Sequence, residues 1–392
     1  MSVTSTIKKP VPYPNCLRYA VGFYRFWRKI FKELFGTAIL HEFTILSLAL
    51  LALSCVEDPP TQIIPVLGKR DYTWTVDTLA YPGSFQTNMY DMWASSSKDV
   101  YVVGHNDRGY GKMYHYDGNS WSPVKLLVIE GGGVPTAPID LSGVFGFAPN
   151  DVWAVGEHIY QNPNPPPNFL DSSLIIHFDG TSWKEIPVAK GRQLSCVWGS
   201  APSDVWFGGA WGSLYHFDGI RCTKMFFDTL TSFNFMTGFS SSSVYATCAR
   251  KIDFDTIEDS LFYLLYHYDG TSWMPVDSFM ITPYNVSRKF GLSLWASPQG
   301  NLYSATYGVY RFLGNGSWQQ LVESDVPIRV WGSSEINIFA VGRKIYHWNG
   351  NDWIRLSGIE YPTRLRFDTW TNNVETFIVG NDGLRTFILH GK

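Results

Sequence analysis

The sequence predicts an all-β chain, a seven-bladed β-propeller of four-stranded antiparallel blades in which an N-terminal strand completes the last blade. Three observations predict it. An aromatic residue, a short polar turn and a second apolar run, often D-V-[WY]-x-V-G, recur seven times, as in "DMWASSSKDVYVVG" at 91–104 and "CVWGSAPSDVWFGG" at 196–209. A second signature follows in six of these units, alternating aromatic and polar residues that run into Asp-Gly or Asn-Gly, as in "LYHYDGTSW" at 265–273. The two ends are complementary: the seventh unit stops after its third strand at "RTFILHGK" (385–392), and "DYTWTVDTLAYPG" (71–83) reads like the fourth strand of the other units.

Taken in order, residues 1–54 differ from the rest. Lys8, Lys9, Arg18, Arg25, Arg28, Lys29 and Lys32 precede the apolar run 43–54, "FTILSLALLALS". Twelve residues are too few to span a bilayer and suit the apolar region of a secretory signal. The run ends in "LALSC", which resembles the lipobox of bacterial lipoproteins, where a small residue precedes a lipidated Cys; Ser54 and Cys55 fit. The expectation is therefore a signal at 1–54 cleaved before Cys55, with an uncleaved anchor helix as the alternative. Residues 55–70, beginning "CVEDPPTQIIP", read as a tether, and Val56 in place of Asp points to the outer membrane. Removing the seven Lys/Arg and two Asp/Glu of 1–54 from 31 and 34 leaves 24 against 32, a formal charge of −8. An acidic mature chain argues against a phosphate-backbone partner, so no nucleic acid is expected.

From residue 71 each unit supplies four short strands: one leading to the first aromatic, the D-V-[WY]-x-V-G run, the Y-H-[YF] run, and one opening with Trp. The Gly of the Asp-Gly or Asn-Gly pair supplies the positive φ of the last turn. The anchors Trp93, Phe145, Trp198, Phe239, Trp295, Trp331 and Trp370 stand 52, 53, 41, 56, 36 and 39 residues apart, a period suited to propeller blades. Trp74 is expected in the slot of Trp121, Trp183 and Trp273, closing the ring and leaving only short sheet edges.

Blades carrying "VWGSAPSDVWFGG" and "YHYDGTSW" resemble those of secreted β-propeller lipoproteins and cell-surface proteins of bacteria. The resemblance covers 71–392. It implies the fold and an envelope location and names no ligand, because one fold hosts many activities.

Residues that recur in every blade serve the blade. His115, His177, His216, His267 and His347 share one repeat position, which implies packing rather than metal binding. The D-G-[TN]-S-W turns differ from the sialidase Asp-box, in which Asp and Gly are separated, and no arginine cluster, Tyr nucleophile and acid/base set can be placed. Cys196, Cys222 and Cys248 have neither a metal spacing nor a disulfide pattern and read as small buried residues. The acidic run Asp253, Asp255, Glu258 and Asp259 lacks the order of a calcium loop and reads as solvated surface. No catalytic residue, metal site or cofactor is assigned.

Departures from the repeat are the binding candidates. Two residues before each anchor stand Asp91, Gly143, Cys196, Thr237, Ser293, Arg329 and Asp368 on the innermost strand. Blades six, seven and one are neighbours in a closed ring, so Arg329, Asp368 and Asp91 are expected to meet at the channel, as a neutralising ion cluster or a ligand site. Long insertions at 124–140, 157–172, 249–260 and 277–290 fall in blade-to-blade crossings or second-to-third-strand connections, which open on one face. They carry Tyr160, Phe169, Phe254 and Tyr284, aromatic surface for a glycan or an envelope protein. The expected function is a non-enzymatic, lipid-anchored binding or scaffolding module. A carbohydrate-active enzyme, marked by several Asp/Glu and Arg converging at one channel mouth, is the first alternative; a purely structural part of a surface assembly, with a flat uncharged rim, is the second.

Overall fold

The computed structural model describes residues 67–126, 139–251, 261–281, 289–291, 293–323, 329–359 and 365–392. Among them, seven four-stranded antiparallel sheets form blades one to six at 87–123, 139–185, 194–224, 231–281, 293–323 and 329–356, and blade seven from 365–391 with 74–79. The chain is a seven-bladed β-propeller.

Closure follows the sequence expectation. The strand Trp74–Leu79 pairs with Thr386–Gly391, Trp74 opposite Gly391 and Leu79 opposite Thr386. Trp121 likewise stands opposite Tyr116, and Trp273 opposite Tyr268, so Trp74 fills the tryptophan slot of blade seven. Residues 68–70, placed in the tether by the sequence, are already held to blade six: Gly68 N donates to Asn349 O at 2.9 Å, and Arg70 pairs with Asp352 at 2.9 Å.

Three repeated contacts explain the repeated residues. First, second-strand aromatics pack on outer-strand aromatics of the next blade: Tyr101 on Trp183 (5.9 Å between ring centroids), Trp206 on Trp273 (5.3 Å), Phe377 on Trp121 (6.5 Å). At the seam Phe339 meets Tyr72 at 5.8 Å, so the N-terminal segment completes the pattern. Second, the repeated histidines stack on those same second-strand aromatics and hydrogen-bond the polar residue two positions before them. His177 lies 4.0 Å from Trp153 and 2.7 Å from Asp151; His216 lies 4.2 Å from Trp206 and 2.6 Å from Asp204. His390, which the sequence signature missed for want of a following Gly turn, does the same with Phe377 at 3.9 Å and Glu375 at 2.6 Å. Burial, with Arg70 nearby, lowers the His347 imidazole to about 4, so it packs as a neutral ring.

Third, the small residue after each anchor makes room for the preceding blade. A Cβ on Gly146 would stand 2.8 Å from Trp93, one on Gly238 2.6 Å from Trp198, and one on Gly332 2.9 Å from Trp295. This contact corrects the reading of blade four. Thr237 pairs with Tyr245 as Trp93 pairs with Tyr101, so Thr237 and not Phe239 occupies the anchor slot, and Phe235 takes the channel position. Phe239 is instead exposed.

The ring should depend on its seam. Thr73 and Lys392 exchange both backbone hydrogen bonds, at 2.9 and 3.0 Å, which makes Thr75 and His390 the next bonded pair. Thr75→Pro removes that donor and is expected to cost roughly 3 kcal/mol, read as a lower denaturation midpoint. Val76→Thr, at an exposed position of the same strand, should stay within about 0.5 kcal/mol of wild type.

Candidate functional site

The channel position brings Asp91, Arg329 and Asp368 together. Arg329 Nη2 lies 3.1 Å from Asp91 Oδ1, Arg329 Nε lies 3.6 Å from Asp368 Oδ1, and Nε also donates to Phe367 O at 3.1 Å. The guanidinium carbon sits 4.4 Å from the centre of the Phe235 ring, across the axis from blade six. The remaining carboxylate oxygens join blades: Asp91 Oδ2 accepts from Val144 N at 2.8 Å, and Asp368 Oδ2 accepts from Met92 N at 3.0 Å. Ser293 Oγ repeats the pattern, accepting from Val330 N at 3.2 Å. The cluster therefore joins blades six, seven, one and two. One guanidinium faces two carboxylates; burial and the charge of Asp368 push the Asp91 carboxyl well up, against the pull of Arg329.

The cluster borders an axial cavity of about 320 Å³. Its wall includes Trp93, Trp198, Phe235, Trp295, Trp331 and Trp370. Cys196 lies on the same ring, buried, with its thiol pushed up by burial. Among the described residues Cys196, Cys222 and Cys248 are unbridged, and Cys222 is only partly buried.

The four insertions fall in the connections the sequence assigned. Those at 124–140 and 277–290 cross between blades, and those at 157–172 and 249–260 join second to third strands. Because strands alternate in direction, the strand ends that flank all four lie on one face. The 157–172 segment is mostly a lengthened hairpin, with Gln161 paired to Phe169 and Tyr160 exposed near its tip. Phe254, Tyr284 and the acidic run at 253–259 lie outside the described residues.

Exposed aromatics concentrate on this face. Six aromatic side chains are exposed among the described residues, and five of them, Phe85, Tyr110, Tyr160, Trp211 and Phe226, lie in crossings or second-to-third-strand connections. Only Phe239 lies toward the opposite face. Sequence reasoning missed four of the five because they sit in short connections, where length gives no signal.

A charged group on the same face was also missed. Asp140 stands directly across from Glu157, and Asp171 lies on the next strand. Lys112 Nζ and His105 Nδ1 each lie 2.7 Å from Asp140, and Arg192 lies 2.7 Å from Asp171. Among the described residues Glu157 forms no ion pair of its own. Burial first, then the charges of Asp171 and Asp140, raise its carboxyl from 4.5 to about 7, with Arg192 opposing. The one legible signal was position, since Glu157 directly follows D-V-W-A-V-G. Among the described residues no three His, Cys, Asp or Glu side chains are arranged to hold a metal ion.

No protein-family model matches this sequence, nor does any curated protein. Among solved structures the chain is similar to YCF48 bound to a D1 peptide, at 16% identity and a TM-score of 0.55, covering 83% of this chain and 98% of that one. It is also similar to the WD40 β-propeller domain of Doa1, at 12% identity and a TM-score of 0.52, covering 81% and 97%. At these identities the likeness shows the fold.

Glu157 sets a pH dependence whose sign follows from its raised carboxyl. At pH values below 4.5 both folded and unfolded chains hold the proton, and between 4.5 and about 7 the unfolded chain loses it first. Folded stability from this group therefore falls as pH rises through that window and is flat above it. Glu157→Gln should melt higher than wild type at pH 8, and the two curves should converge below pH 4.5.

Proposed function

We propose that this protein is a non-enzymatic binding propeller, carried at the bacterial cell envelope by a lipid on Cys55, which docks a protein partner on the face bearing its long connections. The observation that carries this reading is the gathering of Phe85, Tyr110, Tyr160, Trp211 and Phe226 on one face. Aromatic side chains are enriched at interface centres because they bury large area at low entropic cost. A propeller structurally similar to this one carries a bound peptide, which supports a polypeptide partner. The −8 charge of residues 55–392 favours a basic partner segment, steered by long-range attraction.

A second reading is favoured by one observation. Asp140, Glu157, Asp171 and Arg192 approach one another on the insertion face, and a carboxyl held near neutrality suits a general acid. Under that reading the protein cleaves a glycan, and Glu157→Gln abolishes release of reducing sugar. A purely architectural role asks for an uncharged rim, unlike this charged group.

Immobilised wild type should retain an envelope protein that is lost in a Tyr160→Ala/Trp211→Ala variant and kept by Phe239→Ala on the opposite face. Loss of such aromatic anchors typically costs about 2 kcal/mol, roughly 30-fold in affinity. Retention that is equal in all three overturns the docking face. Mass spectrometry of membrane-extracted protein should find an acylated Cys55 as the first residue; an intact Met1 rules out the lipid anchor.

A further inference from the structure

We propose that the axial cavity is a second binding site, which takes a single pyranose ring of a saccharide. The site is independent of the docking face. Its lining residues run from the level of Asp91, Arg329 and Asp368 toward the turns between first and second strands, as Trp93 and Ala94 do in blade one. Those turns open on the face opposite the long connections. A ligand on the axis and a partner on the insertion face therefore need not compete.

The chemistry of the cavity selects the ligand class. Arg329 directs Nε and Nη2 to protein oxygens, but its buried Nη1 has no hydrogen-bond partner among the described residues. A buried donor without an acceptor costs free energy that an incoming oxygen would restore. An anion is opposed by the Asp368 carboxylate beside the guanidinium, and a compact cation is opposed by the guanidinium itself. A neutral hydroxyl avoids both oppositions: its proton is offered to a carboxylate oxygen, and its oxygen accepts from Nη1, which is closed off at rest and is reached through a small shift of the Arg329 side chain.

The walls suit the rest of such a ring. Trp93, Trp198 and Trp331 are only partly buried and border the cavity with flat apolar surface. Ser195 and Asn234, at the bulge positions of blades three and four, are two further polar residues that border the cavity. A volume of about 320 Å³ lies at the lower limit for small-molecule sites, which suits one ring and excludes a chain of them. Aromatic faces beside a few fixed donors and acceptors recognise a ring that is apolar on its faces and hydroxylated at its rim.

The test uses the mature chain and the methyl glycosides of glucose, galactose, mannose, xylose and N-acetylglucosamine, read by tryptophan fluorescence and saturation-transfer NMR. At least one should bind saturably. Arg329→Gln should weaken it about 10- to 100-fold, as expected for loss of a hydrogen bond from a charged group. Because that variant leaves two carboxylates without their cation, Ser195→Phe serves as a second one. It fills the cavity, leaves the ion cluster intact and should abolish binding. Tyr160→Ala/Trp211→Ala should bind the glycoside as wild type does, whatever its effect on a protein partner. The proposal is overturned if no glycoside binds the folded wild type up to about 50 mM, or if binding survives Ser195→Phe.

Discussion

Everything in this propeller depends on one strand supplied from the far end of the chain. Blade seven receives only three strands from its own stretch of sequence, and Trp74–Leu79 provides the fourth. Without it Thr386–Gly391 would present a row of unpaired backbone groups, and Phe339 of blade six would lose the aromatic partner Tyr72. Pairing residues about 300 positions apart in sequence carries a loop-closure cost that grows only slowly with length, so a long-range seam is affordable. The same pairing places blade seven beside blade one, and this adjacency creates the channel cluster.

Around the axis, scaffold and site share the same atoms. Asp91 and Asp368 each use one oxygen to accept an amide from the next blade and the other to face Arg329. Of the two expectations, the ion cluster is the one this geometry shows, and single side chains build both it and the joins between blades. The carboxylates and two guanidinium nitrogens hold the seam, and Nη1 remains for something else. On the insertion face the roles divide in space: ion pairs settle Asp140 and Asp171, while burial and these two neighbours raise the Glu157 carboxyl to about 7.

The repeats were legible because each blade needs the same contacts. A second-strand aromatic must meet the next blade's outer pair, and a small residue must follow the anchor to clear the preceding indole. Blade four shows where such reading fails. "TGFSSSSVYATC" offers Phe239 as the evident aromatic, yet the register of Thr237 against Tyr245 decides the slot, and Phe239 falls in the register shift between Gly238 and Ser240. His390 was missed for a related reason, since its strand ends the chain without the Gly turn that flagged the others.

By itself the sequence determined the number of blades, the latch at the seam, the meeting of Arg329 with Asp91 and Asp368, and the connections in which the insertions fall. These follow from local patterns of period two and from ring closure, which relate positions through simple counting. Tertiary structure alone decided that Phe235 stacks on Arg329, that Nη1 is left without a partner, and that Glu157 stands between two carboxylates. The first is a contact between blades, the second follows from how that contact aims the guanidinium, and the third is set by the register of three strands within blade two. Each depends on register and side-chain direction in three dimensions, which composition and spacing do not encode.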